Sequence, residues 1–383
     1  MHADSTLQID LDAIASNAAV LHDLCDRQAM CGVLKADAYG LGAHAIAPVL
    51  EAAGWSLLAV HRIDEALALL DHVSVPLLVL GPVRDLTPLH PLAAPLGDGR
   101  VQLVIQDGAA LDDVRGLAHA MSRPIGVHLE VDTGMGRGMH LNDAANMLRG
   151  MLADPRLVTH GVMSHFTAAA DRERTRSQFA DFDRMLLPMR RRLPVTCRRH
   201  IAATTAALRD AEVRGDMVRI GLGWAGHAVA LDDQMHLTGA VRWQASIASV
   251  RAVPSGTAVG YGGRHVCARD ARLAMVPVGY ADGLPVQATG ERLTVRDAKG
   301  EAIGTAPIVG TVAMDQVMID VTHLSAAVDV GTSVEVFGPE TFSAFAASMG
   351  LQPHHLLTNI GPRVHRRLIS SAGATRTHAV AAG

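Results

Sequence analysis

The sequence predicts an α/β + β protein: an N-terminal (β/α)8 TIM-type barrel followed by a C-terminal, mostly antiparallel β domain. Three observations carry that expectation. About eight short apolar runs alternate with helical segments as far as Gly221, the order of elements that a parallel barrel requires. From about Leu237 the pattern changes to polar and apolar alternation broken by glycine turns, as over 241–250, which marks half-buried antiparallel strands. No GxGxxG follows the first strand, so a doubly wound dinucleotide fold lacks its fingerprint.

Taken in order, Asp12 is placed to cap a first helix whose Ile14, Ala18, Leu21 and Cys25 share one face. Short apolar runs bounded by turn formers predict strands at 32–35, 55–60, 76–80, 101–106, 125–132, 158–165, 198–203 and 217–221. Helical spacing falls between them at 44–53, 64–71, 109–121, 144–152 and 173–192, with a proline-rich loop over 82–99 and a short helix before 217. Beyond the change of period, 273–278, 307–320 and 333–337 read as strands and 342–349 as a short helix, and the small, polar tail after Ser370 reads as frayed. The division is expected between a barrel over 1–235 and a β domain over 236–383.

Composition narrows the class. Of 383 residues 49% are hydrophobic and 19% charged, enough to fill a large core. A net charge of -4 with no basic block offers nucleic acid no electrostatic footprint. The N-terminus has neither a basic nor an apolar leader region, and no run approaches a membrane span, which predicts a cytoplasmic, enzyme-like chain without a membrane partner. Cys25, Cys31, Cys197 and Cys267 form no CxxC or zinc-like spacing and read as reduced, buried thiols. The 20 histidines do not read as a metal site; His354 and His355, for instance, are adjacent and point different ways in a regular element.

Chemistry gathers where barrel strands end. Lys35 closes the first strand, and of 34 basic residues only Lys35 and Lys299 are lysine. Lys299 lies in an Asp-Ala-Lys-Gly-Glu hairpin turn, whereas an amine that must condense with an aldehyde cannot be replaced by a guanidinium. Lys35 is therefore the candidate Schiff-base lysine. Tyr39 follows the same strand, Arg137 follows the fifth, His165 ends the sixth, Thr204 and Thr205 follow the seventh, and Arg219 and Gly221 sit in the eighth. An arginine inside an apolar strand needs a partner, because burying it alone is too costly.

Six motifs occur in one order: Val-Leu-Lys-Ala-Asp-Ala-Tyr-Gly-Leu-Gly, Asp-Thr-Gly-Met-Gly-Arg, Met-Val-Arg-Ile-Gly, Val-Gly-Tyr-Gly, Val-Gly-Tyr-Ala-Asp-Gly and Val-Ala-Met-Asp-Gln. Together, from Lys35 to about Arg366, the chain resembles the alanine racemase family, pyridoxal-phosphate enzymes of fold type III. The resemblance implies that Lys35 carries pyridoxal 5′-phosphate and moves a proton on one face, while Tyr261 of a partner subunit in a head-to-tail homodimer works on the other. It also implies that Arg219 faces the pyridine nitrogen, that His165 holds Arg219, and that Arg137 contacts the ring hydroxyl and the substrate carboxylate. The Met314 backbone of the partner helps to seat that carboxylate. Tyr39, Thr204, Gly221 and Leu222 take the phosphate, and Tyr280 and Asp315 line the substrate entrance from the partner. All three tyrosines, Tyr39, Tyr261 and Tyr280, lie in these motifs.

The chain departs from the family pattern at three positions. Glu130 replaces a lysine that many members carbamylate to brace the arginine matching Arg137. Ala203 stands where asparagine is frequent, and Pro362 replaces a tyrosine that touches the phosphate and narrows the entrance. The implied activity is racemisation of alanine, supplying D-alanine for cell-wall peptide. A serine-preferring or broad-spectrum racemase, a decarboxylase using a partner-chain cysteine, and a non-catalytic pyridoxal-phosphate protein remain alternatives; a chiral assay of alanine, serine and a basic amino acid separates them.

Overall fold

A computed structural model describes residues 5–227, 237–371 and 376–378. The chain starts with strand β1 (Ser5–Asp10), whose alternating burial marks a strand with one face in the core. Helix α1 (Leu11–Leu24) follows, capped by Asp10 rather than by Asp12 as the sequence suggested. Asp10 still has extended backbone at the end of β1, so its carboxylate accepts from the Asp12 and Ala13 N–H groups, each at 3.0 Å. Asp12, already inside the helix, accepts instead from Ser370 and Ser371.

The barrel is then laid down as β2 (Ala29–Val33), α2 (Lys35–Gly40), α3 (Ala43–Ala52), β3 (Leu57–Val60), α4 (Ile63–Leu69), β4 (Leu77–Val79), α5 (Ala93–Gly97), β5 (Val101–Ile105), α6 (Gly108–Met121), β6 (Ile125–Asp132), β7 (Met139–His140), α7 (Leu141–Leu152), β8 (Leu157–Met163), α8 (Arg172–Leu186), β9 (Arg198–His200), α9 (Thr204–Arg209) and β10 (Met217–Ile220). The parallel order is β10-β2-β3-β4-β5-β6-β8-β9, and most of these strands are buried along their length, as strands covered on both sides must be. The ring closes through Arg219, whose N–H donates to Ala202 O at 3.0 Å beside an Ala203–Arg219 bridge. The helix expected over 173–192 ends at Leu186 in a single 3₁₀ turn, and the proline-rich loop holds the short α5.

The second sheet contains β11 (Val241–Ser246), β12 (Ser249–Val253), the hairpin β13 (Ala258–Val259) and β14 (His265–Val266) as a separate pair, β15 (Ala271–Val276), β16 (Arg292–Arg296), β17 (Ala302–Val309), β18 (Val317–Asp320) and β19 (Ser333–Phe337). Helices α10 (Phe342–Ser348) and α11 (Pro353–Thr358) precede β20 (His365–Ile369) and β21 (Arg376–His378). Its order is β12-β15-β18-β17-β16-β19-β11-β1-β20-β21, antiparallel except where β1 runs alongside β20. Residues 5–10, read from the sequence as part of the barrel, are thus an inner strand of the second sheet, with Leu7 and Ile9 fully buried. The expected boundary at 235/236 lies outside the described residues. Part of the tail read as frayed is β21, paired with β20. All four cysteines are free and buried, and among the described residues no helix is long and apolar enough to cross a membrane.

Candidate active site

The barrel mouth is organised by the turn after β2. Ala36, Asp37, Ala38 and Tyr39 are all left-handed, with φ of 53, 52, 54 and 60°. Without glycine, such backbone costs roughly 1–2 kcal/mol per residue. It persists because its surroundings determine it several times over. Glu65 accepts from Ala36 N–H through one carboxylate oxygen and from His61 and Arg62 N–H through the other. Asp37 accepts from Ala43 N–H at 2.7 Å, tying the turn to α3.

The turn delivers Lys35 to a cavity of about 850 Å³ that Tyr39, Arg137, His165, Thr204, Arg219, Gly221 and Leu222 also line. The Lys35 chain opens into this void, yet the surrounding wall strips enough water from the amine to lower its pKa. The Arg137 and Arg219 cations push it further down and Glu65 opposes them. A larger neutral fraction makes a better nucleophile.

On one wall, buried Tyr39 stands over Gly221, where an added Cβ would lie 2.6 Å from the phenolic oxygen; only glycine leaves this gap. The Gly221 N–H donates to Thr204 Oγ1 at 3.2 Å. Hydroxyls and backbone N–H groups after the last two barrel strands, with the first turn of α9, form the kind of concavity that takes an oxyanion.

Arg219 enters the floor from β10 and is 4% exposed. Its donors go to His200 Nδ1 at 3.0 Å, His200 O at 2.7 Å, Ser164 O at 2.6 Å, His165 Nδ1 at 3.1 Å and, more weakly, Ile201 O at 3.4 Å. All five acceptors are neutral. Burial without a carboxylate in contact pulls the guanidinium down to about 10, so it stays charged at neutral pH. Burial, with Arg219, Arg137 and Lys35 around it, pushes His165 down to about 3, which leaves its Nδ1 bare to accept from Arg219.

Arg137 is braced by Glu130, one of the three family departures. Glu130 is 3% exposed, accepts from Arg137 Nε at 2.8 Å, and takes Gln106 Nε2 at 2.7 Å on its other oxygen. An ordinary carboxylate therefore occupies the bracing position without any modification. Glu130→Ala is expected to leave the Gln106 amide with only its long bond to Leu80 O at 3.4 Å and to free Arg137, destabilising the fold by about 1–3 kcal/mol. Urea unfolding with an unchanged midpoint would contradict this.

Tyr261, Met314 and Asp315 do not reach this cavity. They line a separate concavity of about 480 Å³ in the β domain, which shares no lining residue with the first. Tyr261 is 75% exposed on the turn between β13 and β14. Tyr280 lies beside it, where the Tyr280 N–H donates to Ala313 O at 3.0 Å and Ala281 N–H to Met314 O at 3.0 Å. These loops cross closely because Gly279 has no Cβ, which would sit 2.3 Å from Met314 O. Arg363 clamps Asp315 at 2.7 Å and Asp282 at 2.9 Å.

The sequence reading missed several residues of the barrel cavity. Gln106, His61, His227, Gln352, Pro353 and His354 line it as well. His354 is exposed, but its open side is the cavity rim, brought there by α11 of the second domain. Gln106 carried a readable signal, a polar side chain just past the buried β5.

An amine beside an anion seat at a barrel mouth, with a second domain presenting an open polar face of its own, sorts the chain with two-domain barrel enzymes. The family model described as alanine racemase, N-terminal domain, matches residues 9–228, and that described as alanine racemase, C-terminal domain, matches residues 240–368. The chain belongs to the alanine racemase family. It is 34% identical to an alanine racemase of Acidiphilium cryptum, over 96% of this chain and 99% of the relative, and 32% identical to one of Desulfosudis oleivorans, over 94% and 95%. Among solved structures it is similar to alanine racemase from D-cycloserine-producing Streptomyces lavendulae, with a TM-score of 0.86 at 29% identity over 97% of this chain and 98% of that one. The Bartonella henselae alanine racemase, described with covalently bound pyridoxal phosphate, gives 0.83 at 26% over 96% and 100%.

Proposed function

We propose that the chain interconverts L- and D-alanine with pyridoxal 5′-phosphate, as a homodimer in which each site joins the barrel cavity of one protomer to the Tyr261 face of its partner. The observation that carries this reading is the divided site. Lys35 lines a cofactor-sized cavity that Tyr261 does not reach, while Tyr261 stands exposed on a separate concavity whose described lining holds no lysine. A two-fold dimer supplies each half with the other.

The barrel residues suit the cofactor. Lys35 offers a partly neutral amine for its aldehyde, and the Tyr39, Thr204, Gly221 and Leu222 wall, with the cradle that a Cβ would fill, suits its phosphate. When bound, the cofactor supplies an electron-withdrawing ring that acidifies the α-carbon of the amino acid. Arg137, held by Glu130, would meet the ring hydroxyl and the substrate carboxylate, and the partner protomer's Met314 backbone would complete the carboxylate seat. Tyr280 and Asp315 of that protomer line the entrance.

Lys35 takes or returns the α-proton on one face and Tyr261 on the other, because inversion needs bases on opposite sides. Arg219 would face the ring nitrogen, held there by His165 at 3.1 Å. Since a guanidinium does not release its proton at neutral pH, Arg219 would donate to that nitrogen without protonating it, so the bound cofactor would withdraw electrons less strongly and return of the proton would win over transamination. Arg219→Glu is expected to slow racemisation and raise the share of transamination; pyruvate formed per inversion measures it, and an unchanged ratio would refute the assignment. The reaction would serve D-alanine supply for peptidoglycan in the cytoplasm.

A second reading, a serine-preferring or broad-spectrum racemase, has one observation in its favour. Pro362 is exposed and brings no hydroxyl to the entrance, where Gln352 and His354 line the rim instead. The decarboxylase alternative loses its thiol, since Cys267 is 4% exposed and packed among Val253, Val259 and Leu273. The deciding experiment incubates purified, cofactor-loaded protein with each enantiomer of alanine, serine and arginine and follows the chirality of the products. Alanine running fastest to a racemic mixture is expected. Faster serine would select the second reading, and bound cofactor without turnover would leave only a binding protein.

A further inference from the structure

The buried groups behind Arg219 form a line through the barrel that none of the roles above uses. His200 Nδ1 lies 3.0 Å from Arg219 Nη1, His200 Nε2 lies 2.9 Å from His128 Nδ1, and His128 Nε2 lies 2.7 Å from Gln102 Oε1. Gln102, His128 and His200 are 6, 1 and 0% exposed. Arginine can only donate, so His200 Nδ1 must accept. The His200 proton then sits on Nε2 and is donated to His128 Nδ1, whose own proton sits on Nε2 and is donated to Gln102 Oε1. Every link points the same way.

We propose that Gln102 and His128 are positioning residues for the reaction, holding Arg219 through His200 as one uniformly polarised hydrogen-bond chain. Each neutral imidazole turns the negative end of its dipole towards a guanidinium that no carboxylate contacts among the described residues, and aligned links strengthen one another. The chain works only while both imidazoles are neutral. Burial enforces this, with Arg219 and His160 adding repulsion at His128, and with Arg219 and His128 adding it at His200. Cys31, Glu130 and Arg137 are the other titratable groups that act on Arg219. Arg198 and His160 border the small cavity at the Gln102 end.

The catalytic consequence rests on Arg219 serving the cofactor as proposed above; the tautomers do not. In ¹⁵N spectra of histidine-labelled, cofactor-loaded protein, His128 and His200 are both expected as neutral Nε2–H imidazoles throughout pH 6–9. Either one protonated on Nδ1, or charged at pH 7, would overturn the chain. Gln102→Glu keeps an acceptor but adds a charge that draws a second proton onto His128. Its Nδ1–H then donates to His200 and turns that ring's proton towards Arg219. This variant is expected to acquire an acid limb, with kcat about tenfold lower at pH 6 than at pH 9, KM within about twofold and more transamination. Gln102→Met, of similar length and uncharged, is expected to show no such limb. A Gln102→Glu enzyme with an unchanged pH profile and product ratio would refute the positioning role, and if it fails to fold, the tautomers of the unaltered protein decide. Expected tautomers in a protein that racemises nothing would sink the proposed function and leave the chain standing.

Discussion

Replacing Lys35 with alanine is expected to abolish racemisation in both directions, a loss of at least ~10⁴-fold, because the residue both tethers the cofactor and serves one face. Lys35→Arg should fail equally, since a guanidinium is neither nucleophilic nor able to release a proton at neutral pH. The other lysine offers no substitute. Lys299 is exposed on the turn between β16 and β17, its N–H bound to Asp297 at 2.9 Å. Borohydride treatment of the unaltered holoenzyme should fix the label on the peptide containing Lys35 alone, and chiral chromatography measures the residual turnover. More than a hundredth of the activity surviving in Lys35→Ala would remove the lysine from the mechanism.

Tyr261→Phe deletes one oxygen from an exposed side chain, so it should leave the fold unchanged while slowing inversion by about 10²–10⁴-fold. The loss should be one-sided in isotope exchange. In deuterated water, wash-out of the α-proton of L-alanine should collapse, while that of D-alanine, served by Lys35, should persist without inversion. Equal losses from both enantiomers would refute the assignment of the two faces. Mixing Lys35→Ala with Tyr261→Phe protomers tests the shared site directly. Half of the randomly paired dimers are mixed and each carries one intact site, so about a quarter of the unaltered activity should return. No recovery after confirmed exchange would show that Tyr261 acts within its own chain or not at all.

Much of this was legible before any coordinates. The barrel strands were found because a strand covered on both faces must be continuously apolar over a short run, and that pattern is local. Lys35 stood out by scarcity, and Arg219 because it interrupts the apolar run 217–220. What escaped notice depends on distant partners. Ser5–Asp10 is a short alternating stretch whose partners are Val241–Ser246 and His365–Ile369, far along the chain. Asp10 and Asp12 are equally good caps as residue types, and only the end of β1 decides which one holds the extended backbone that a cap needs. Nothing in Ala-Asp-Ala-Tyr announces four left-handed residues, because their strain is met by Glu65 from α4 and by Asp37 reaching to α3.

By itself, the sequence determined which kinds of group are present and which end of which strand bears them, since periodicity and residue type are local properties. Which atoms meet is a matter of tertiary structure: Glu130 reaches Arg137 Nε at 2.8 Å and Gln106 Nε2 at 2.7 Å, His354 borders the Lys35 cavity, and two buried imidazoles line up behind Arg219. Hydrogen bonds and cavity walls join residues tens to hundreds of positions apart, and their geometry exists only once the barrel has closed and the first strand has paired with the last sheet.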